Sequence, residues 1–306
     1  MEEILSVEHL SVSFTQYKKI WKKVNLPVIR DLSLRINKGE MVAVVGSSGS
    51  GKSLLAHAIL GLLPKNASWQ GKIIYKGNEI QKNEWNTLRG KEIALVPQSV
   101  SYLDPLMKIG EQIRNGRTDS ASREKSRQKL SQYGLKEETQ LLYPFALSGG
   151  MTRRILISAA VMEQPALIIA DEPTPGLHLE AAKRVLSHFR ELADTGAGIL
   201  LITHDLELAA KTADRIVVFY AGTNLEEADA LDFQEEKRLR HPYTKALFRA
   251  MPENGLQEVN GSQPFIANLP VGCPYGPRCP QFAEKCRQDV PCQRVRGGWV
   301  RCFFAE

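Results

Sequence analysis

Residues 41–53 read MVAVVGSSGSGKS. Met41-Val-Ala-Val-Val45 is a short apolar run with no polar interruption, which predicts a strand buried on both faces. It passes directly into Gly46-Ser-Ser-Gly-Ser-Gly51-Lys52-Ser53, and a helical pattern follows from Lys52 to Leu62. Strand, glycine-rich turn closing on Gly-Lys-Ser, then helix is the context a phosphate-binding loop requires. The glycines let successive backbone N–H groups turn inward around phosphate, and the helix N-terminus adds its dipole. Lys52 is then placed to reach the β- and γ-phosphates of a nucleotide and the Ser53 hydroxyl to ligate Mg²⁺. Gly46, Ser47, Gly49, Gly51 and Leu54 complete the candidate contacts on this loop.

Working outward, the chain alternates short β-branched runs with amphipathic stretches from Ile4 to about Tyr220, the pattern of an α/β domain with a mostly parallel sheet. Strands are predicted at 41–45, 92–96, 166–170, 198–202 and 215–219, and helices at 52–62, 150–162, 179–194 and 206–213. Between Val100 and Phe145 the strand pattern gives way to polar helical segments, which predicts a helical subdomain, about 99–162, inserted in the domain. Past Lys237 composition shifts toward Pro, Gly and Cys; 255–269 reads as a linker, and 237–306 as a small cysteine-rich extension to a domain of 1–236. Hydrophobic content of 43%, charged content of 24% and the lack of any long apolar run fit a soluble protein that does not itself span a bilayer. The acidic, alternating start MEEILSVEHL is unlike a secretory signal, so a reducing, cytoplasmic location is expected. The net charge of +6 is spread along the chain and argues against nucleic acid as partner. Its densest basic stretch, Lys18-Lys19-Ile20-Trp21-Lys22-Lys23, reads as a solvated loop, with contact to phosphates or an anionic membrane as the other reading.

Further motifs gain meaning beside the phosphate loop. Leu167-Ile-Ile-Ala170-Asp171-Glu172 is an apolar run ending in two carboxylates, where Asp171 suits Mg²⁺ and Glu172, one residue on, suits a general base that polarises the attacking water. His204 follows the strand 198–202, at the edge where open α/β sheets gather ligands. Gln98 follows another strand and is placed to sense the γ-phosphate or water. Ser148-Gly149-Gly150 opens a helix; alone it would be an ordinary N-cap.

Taken in order, the phosphate loop, Gln98, Leu147-Ser-Gly-Gly150, Asp171-Glu172 and His204 resemble the ATP-binding cassette (ABC) ATPases over roughly residues 1–235. The resemblance implies a phosphate-loop NTPase fold of the ABC type with an N-terminal antiparallel β part. It also implies that two cassettes meet head to tail, so that Ser148, Gly149 and Gly150 would cap the γ-phosphate of ATP on the partner. Phe14, read as ending the first strand, would stack on adenine, with Tyr17 as the alternative. His204 would contact the γ-phosphate, and Gln98 would join Ser53 and Asp171 around Mg²⁺. Two positions depart from the common pattern: Gly176-Leu177-His178 carries a histidine where Asp is usual, and Met151 stands where many relatives have Gln.

The tail narrows the resemblance. Phe219-Tyr-Ala-Gly222, His241-Pro-Tyr-Thr-Lys-Ala246, Pro277-Arg-Cys-Pro280 and Arg301-Cys302 are similar to the ATPases of oligopeptide, dipeptide and nickel importers. All five cysteines lie after position 272, and in a reducing compartment such crowding points to soft-metal ligation rather than disulfides. Cys273, Cys279, Cys286 and Cys302 match positions that hold a [4Fe-4S] cluster in some members of that branch; the spacing itself leaves Zn²⁺ open and leaves Cys292 spare. The expected function is therefore ATP hydrolysis driving import of peptides or nickel, from the cytoplasmic face of the membrane. The implied partners are a second ABC ATPase subunit, on the evidence of His178 a sister chain, two transmembrane permease subunits and an extracytoplasmic substrate-binding protein. The competing class, a soluble cassette acting on ribosomes or nucleic acid, usually carries two cassettes in one chain, and this chain has one.

Overall fold

The computed structural model describes residues 2–19, 22–259 and 261–305. In chain order the elements are β1 (Glu3–Lys19), β2 (Lys22–Asn37), β3 (Met41–Val45), α1 (Lys52–Ile59), β4 (Ala67–Tyr75), β5 (Asn78–Glu79), α2 (Trp85–Leu88), β6 (Ile93–Val96), α3 (Ile109–Ile113), α4 (Ser120–Gln132) and α5 (Gly149–Ala160). There follow β7 (Leu167–Asp171), α6 (Leu179–Asp194), β8 (Gly198–Thr203), α7 (Leu206–Thr212), β9 (Arg215–Tyr220), β10 (Thr223–Asp229), α8 (Pro242–Arg249), β11 (Cys292–Val295) and β12 (Gly298–Arg301). The chain forms two compact units, one built from Asn37–Glu40 and Gln81–Leu200 with Glu2, the other from Glu3–Ile36, Met41–Ile80 and the residues from Leu201 on.

In the first unit the strand order is β8-β7-β6. β6 and β7 run parallel, in register from Ile93 opposite Leu167 to Val96 opposite Ala170. Every residue of β7 is buried, as its uninterrupted apolar run requires, and the strand ends on Asp171. The predicted helical insertion is present as α3, α4 and α5. They close over a core of Leu103, Ile109, Ile113, Leu130, Leu135, Ile155, Leu156 and Met162, which gives this region an apolar centre of its own.

The second unit contains an antiparallel sheet of order β2-β1-β4-β5 and a run of strands ordered β11-β12-β10-β9-β3. β3 and β9 are parallel and the other pairs of that run antiparallel. Two hairpins in it turn through two residues, Ala221-Gly222 and Arg296-Gly297, all four with positive φ. Such turns match the right-handed twist of the strands they join. The second hairpin carries no strand signal in the sequence: within the extension, β11 and β12 add two strands to the sheet edge beside β10. Arg240 fixes it there. Its buried guanidinium donates to the carbonyls of Val295 (2.6 Å) and Arg296 (2.7 Å) at the hairpin turn, and to Glu226 (3.3 Å) and Asp232 (2.7 Å). A buried arginine with several oxygen partners is tolerable because its charge is paired and its fork of donors is satisfied.

One expectation is corrected at the N-terminus. Phe14 does not end its strand: β1 runs on to Lys19 and β2 begins at Lys22, so the four lysines of the basic stretch lie in strands where a solvated loop was expected. Ile20 and Trp21 lie outside the described residues. Among those described, no helix is long and apolar enough to cross a membrane.

Candidate functional site

The phosphate loop belongs to the second unit. A Cβ at Gly46 would lie 2.1 Å from the carbonyl oxygen of Phe219, so no larger residue fits between β3 and β9 there. The next turn holds the loop from below: Gly222 donates its N–H to the Ser50 carbonyl (3.0 Å), and its own carbonyl accepts from Arg30 (2.8 Å). A Cβ on Gly222 would lie 2.2 Å from the Val28 carbonyl, which explains a glycine at this second close approach. Helix α1 begins after Gly51 with no side chain capping its first turn. Its positive end is therefore left to whatever the loop encloses. Lys52 is buried, and its ammonium donates to the carbonyls of Gly46 (2.7 Å) and Ser47 (2.9 Å), which holds it inside the loop. Ser53 and Leu54 follow, both half-buried.

His204 sits just past β8, exposed, in a fixed turn: Thr203 Oγ1 accepts the N–H of Asp205 (3.1 Å), and Asp205 caps α7 by accepting from Leu208 (2.9 Å). A cavity of about 380 Å³ is lined by Gly46, Ser47, His204, Asp205, Leu247 and Met251, among others, so the structure brings the histidine and the loop to one hollow. Phe14 is half-buried on β1, opposite Ala67. Tyr17 is exposed, with the Lys23 ammonium 5.8 Å from its ring centre.

The carboxylates belong to the first unit. Asp171 and Glu172 are both buried, and Glu172 has φ +48°, a left-handed conformation that costs a non-glycine residue energy. Stored strain of this kind concentrates at functional positions. Arg153, on α5, lies near both. Burial lowers its pKa, and the charges of Asp171 and Glu172 act against that, stabilising the guanidinium. The same side chain donates to the Pro97 carbonyl (2.8 Å), which anchors the backbone immediately before the exposed Gln98. Arg153 was not singled out from sequence; a lone arginine in a helical stretch carries no local signal.

Ser148 caps α5, its hydroxyl accepting from Met151 (3.3 Å). Ser148 and Gly149 are exposed, and a Cβ on Gly149 would meet nothing within 4 Å. Gly150 lies against the loop before α6, where a Cβ would be 3.4 Å from the Gly176 carbonyl. His178 caps α6: its Nδ1 accepts from Ala181 (3.4 Å), the local task an aspartate would perform.

In the tail, Cys273, Cys286 and Cys302 are buried, Cys279 is half-buried and Cys292 exposed, all as free thiols. Burial pushes the Cys273 thiol up to about 11, and its neighbours Cys279, Cys302 and Cys286 raise it further. Cys279 and Cys302 are raised the same way, by burial first and then by other cysteines of the set. Cys292 is exposed as a residue but its thiol is partly screened from water, which raises it; the charges around it are Arg301, which lowers it, and Glu227 and Asp31, which raise it, with no cysteine among them. Four thiols thus share one neighbourhood and the fifth stands apart. Yet among the described residues no three His, Cys, Asp or Glu side chains are grouped as a metal ion requires.

The family description "ABC transporter" matches residues 29–175, and "Oligopeptide/dipeptide transporter, C-terminal region" matches 225–286. The dipeptide transport ATP-binding protein DppD of Bacillus subtilis is 34% identical over 328 residues, spanning 100% of this chain and 96% of that protein. The chain belongs to the ABC ATPase family of peptide transporters. The oligopeptide transport ATP-binding protein OppD of Salmonella typhimurium is 33% identical, over 98% of this chain and 93% of that protein. Among solved structures, a dimeric ATP-binding cassette in a post-hydrolysis state bound to ADP and Pi superposes with a TM-score of 0.66, at 23% identity, over 74% of this chain and 99% of its own; it shows the fold alone. An ATP-binding subunit of an ABC transporter aligns with a TM-score of 0.63 at 28% identity, over 76% of this chain and 92% of its own. As an ABC ATPase the chain hydrolyses ATP, a chemistry that uses Mg²⁺. The family's nucleotide motifs are read locally, while Arg153 and the turn carrying Gly222 make contacts that only the folded chain displays.

Proposed function

We propose that the chain is the ATP-hydrolysing subunit of a peptide importer, acting at the cytoplasmic face of the membrane with a second ABC ATPase subunit, two membrane-spanning permease subunits and an extracytoplasmic substrate-binding protein. One observation carries this reading: similarity to dipeptide and oligopeptide transport ATP-binding proteins extends the full length of the chain, its C-terminal region included. The names of these relatives favour peptide over nickel as cargo, and they leave the ribosomal or nucleic-acid alternative without support. A division into a nucleotide-binding domain, 1–236, with its helical insertion at about 99–162, and an extension, 237–306, is part of the proposal.

In the proposed reaction the loop N–H groups and Lys52 take the phosphates, with Gly46, Ser47, Gly49, Gly51 and Leu54 forming the cradle and Phe14 stacking on adenine. Ser53, Gln98 and Asp171 supply only oxygen donors, a set that suits a hard cation. Bound there, Mg²⁺ would offset charge on the β- and γ-phosphate oxygens. Glu172 takes a proton from water as its oxygen bonds to the γ-phosphorus and the bond to the bridging oxygen of ADP breaks, releasing ADP and phosphate. His204 holds the γ-phosphate and the water in line. Ser148, Gly149 and Gly150 reach the nucleotide of the second subunit, so hydrolysis removes the charge that joins the two halves. Glu172→Gln is expected to keep ATP binding while turnover falls by roughly two to four orders of magnitude, the usual span for losing a general base. Turnover of Glu172→Gln equal to that of the parent chain, measured by phosphate release in the assembled transporter, would remove Glu172 from this role.

The four-cysteine set is proposed as the site of a [4Fe-4S] cluster, with Zn²⁺ as the alternative. Soft thiol donors in one neighbourhood support it, and the absence of a ready-spaced group among the described residues weighs against a closed site. Anaerobically purified protein is expected to be brown, with iron and sulfide in equal amounts; colourless protein free of both would end the iron–sulfur reading, and zinc in their place would select the alternative.

A further inference from the structure

We propose that Gln263, in the segment between α8 and the cysteine-rich tail, is a positioning residue for the phosphate loop, and that the C-terminal region thereby takes part in nucleotide binding. The proposal rests on the nucleotide reading above and adds to it a residue no motif contains. The Ser47 hydroxyl donates to Gln263 Oε1 at 2.5 Å, across 216 positions of sequence. From the other side the Lys52 ammonium takes the Ser47 carbonyl at 2.9 Å. Ser47 is thus gripped at side chain and backbone at once, and the loop's second residue cannot turn freely.

The segment that carries Gln263 is itself tied down. Arg278, between Cys273 and Cys279 of the tail and the latter's immediate neighbour, donates to the Val259 carbonyl (3.0 Å) and to the Tyr220 hydroxyl (3.2 Å). Its guanidinium lies 6.0 Å from the Tyr220 ring centre and 5.7 Å from that of Tyr275, so it is stacked as well as hydrogen-bonded. Tyr220 also packs on Tyr243 at 4.5 Å, and it directly precedes the Ala221-Gly222 turn that supports Ser50. A second contact region points the same way: Leu247, Ala250 and Met251, at the end of α8, line the hollow that Ser47 and His204 share. The C-terminal region therefore meets the phosphate loop at a hydrogen bond and at a cavity wall. A carboxamide suits this place because it accepts from Ser47 without bringing a negative charge toward phosphate.

An acceptor that pre-sets the loop contributes to nucleotide affinity and not to the chemical step. With the full-length chain and a non-hydrolysable ATP analogue in calorimetry, Gln263→Ala is expected to weaken binding about three- to tenfold, the span of one neutral hydrogen bond. Gln263→Met, which keeps the volume and removes the acceptor, is expected to match it. In the assembled transporter the KM for ATP rises by the same factor while kcat at saturation stays within about twofold. Ser47→Ala combined with Gln263→Ala is expected to bind no more weakly than Ser47→Ala alone, because both remove the same bond. Unchanged affinity in the Gln263 variants, tighter binding, or fully additive losses would each overturn the inference. Lys52→Ala serves as the control: if it too left affinity unchanged, the nucleotide reading itself would fail, whereas a normal loss there with silent Gln263 variants sinks this inference alone.

Discussion

The phosphate loop and the Ser148-Gly149-Gly150 turn are both glycine-rich, both open a helix and both belong to one ATPase family pattern, yet they are physically opposite. The loop is built in: Gly46 is pressed on the Phe219 carbonyl, Ser50 is bonded to Gly222, and Lys52 is held by two carbonyls. The turn is exposed, and space around Gly149 is open. A site finished within one chain needs its glycines for room against its own backbone. A surface that a second molecule would complete needs them for room against something else. Under the proposed assembly, this contrast is what a chain needs if it is to supply a full phosphate cradle of its own and only a cap for a second subunit's nucleotide.

Matched substitutions break or sharpen this contrast. Gly46→Ala is expected to have the largest effect. A methyl 2.1 Å from the Phe219 carbonyl oxygen forces the loop off β9; overpacking costs about 1–3 kcal/mol, and against backbone the upper part of that span applies, on the order of a hundredfold in nucleotide affinity by calorimetry. Retention of parent affinity would show that the loop tolerates movement and that its fixed framing is irrelevant. Gly149→Ala is expected to leave the fold and the nucleotide affinity of the isolated chain unchanged, since nothing in the chain meets the added methyl. In the assembled transporter it should lower turnover on the order of tenfold, as a methyl intrudes on a packed contact. Equal turnover there would mean that no partner closes over Gly149.

Much of this was readable in the sequence, for a reason that also sets the limit. β3, β7 and β8 are apolar runs buried throughout, and α6 spans the residues its periodicity predicts, because pattern and burial are both local facts about those segments. The loop, the carboxylate pair and His204 lie at strand ends for the same reason. What escaped depends on distant partners. β12 pairs through Val300 and Trp299 with Glu226 and Glu227, more than seventy positions earlier, and β11 and β12 each offer too few residues for alternation to show. Arg296-Gly297 was the available turn signal and stood without recognisable strands around it. Gln263 and Arg153 are ordinary residues in their local settings and acquire roles only through Ser47 and Pro97. For the cysteines, spacing supplied the donors and their number, while their grouping depends on how the tail packs.

An effect confined to acid pH concerns the layer of rings, His241, Tyr275 and Tyr220, that packs next to the turn carrying Gly222. His241 is buried, its ring 6.0 Å from that of Tyr275, and its Nδ1 accepts the Tyr243 N–H at 3.0 Å to cap α8. Burial holds its pKa down to about 3, so the folded chain keeps the ring neutral and able to accept. The unfolded chain, with an ordinary value near 6.5, binds a proton that the folded chain refuses throughout that interval. Stability contributed by this residue is therefore complete above about pH 6.5 and declines on acidification by roughly 1.4 kcal/mol per pH unit until the folded pKa is reached. His188, in the first unit, is likewise held down to about 4 by burial and adds a similar slope over a narrower interval. His241→Asn keeps an acceptor for Tyr243 and cannot take up the proton, so its thermal midpoint should fall less steeply than the parent's between pH 6.5 and 4.5, with the share due to His188 remaining. Parallel curves for the two proteins would show that protonation of this layer does not govern acid stability. A shallower curve with nucleotide affinity better retained at pH 5.5 would show that the tyrosines between His241 and Gly222 transmit the state of the layer to the loop.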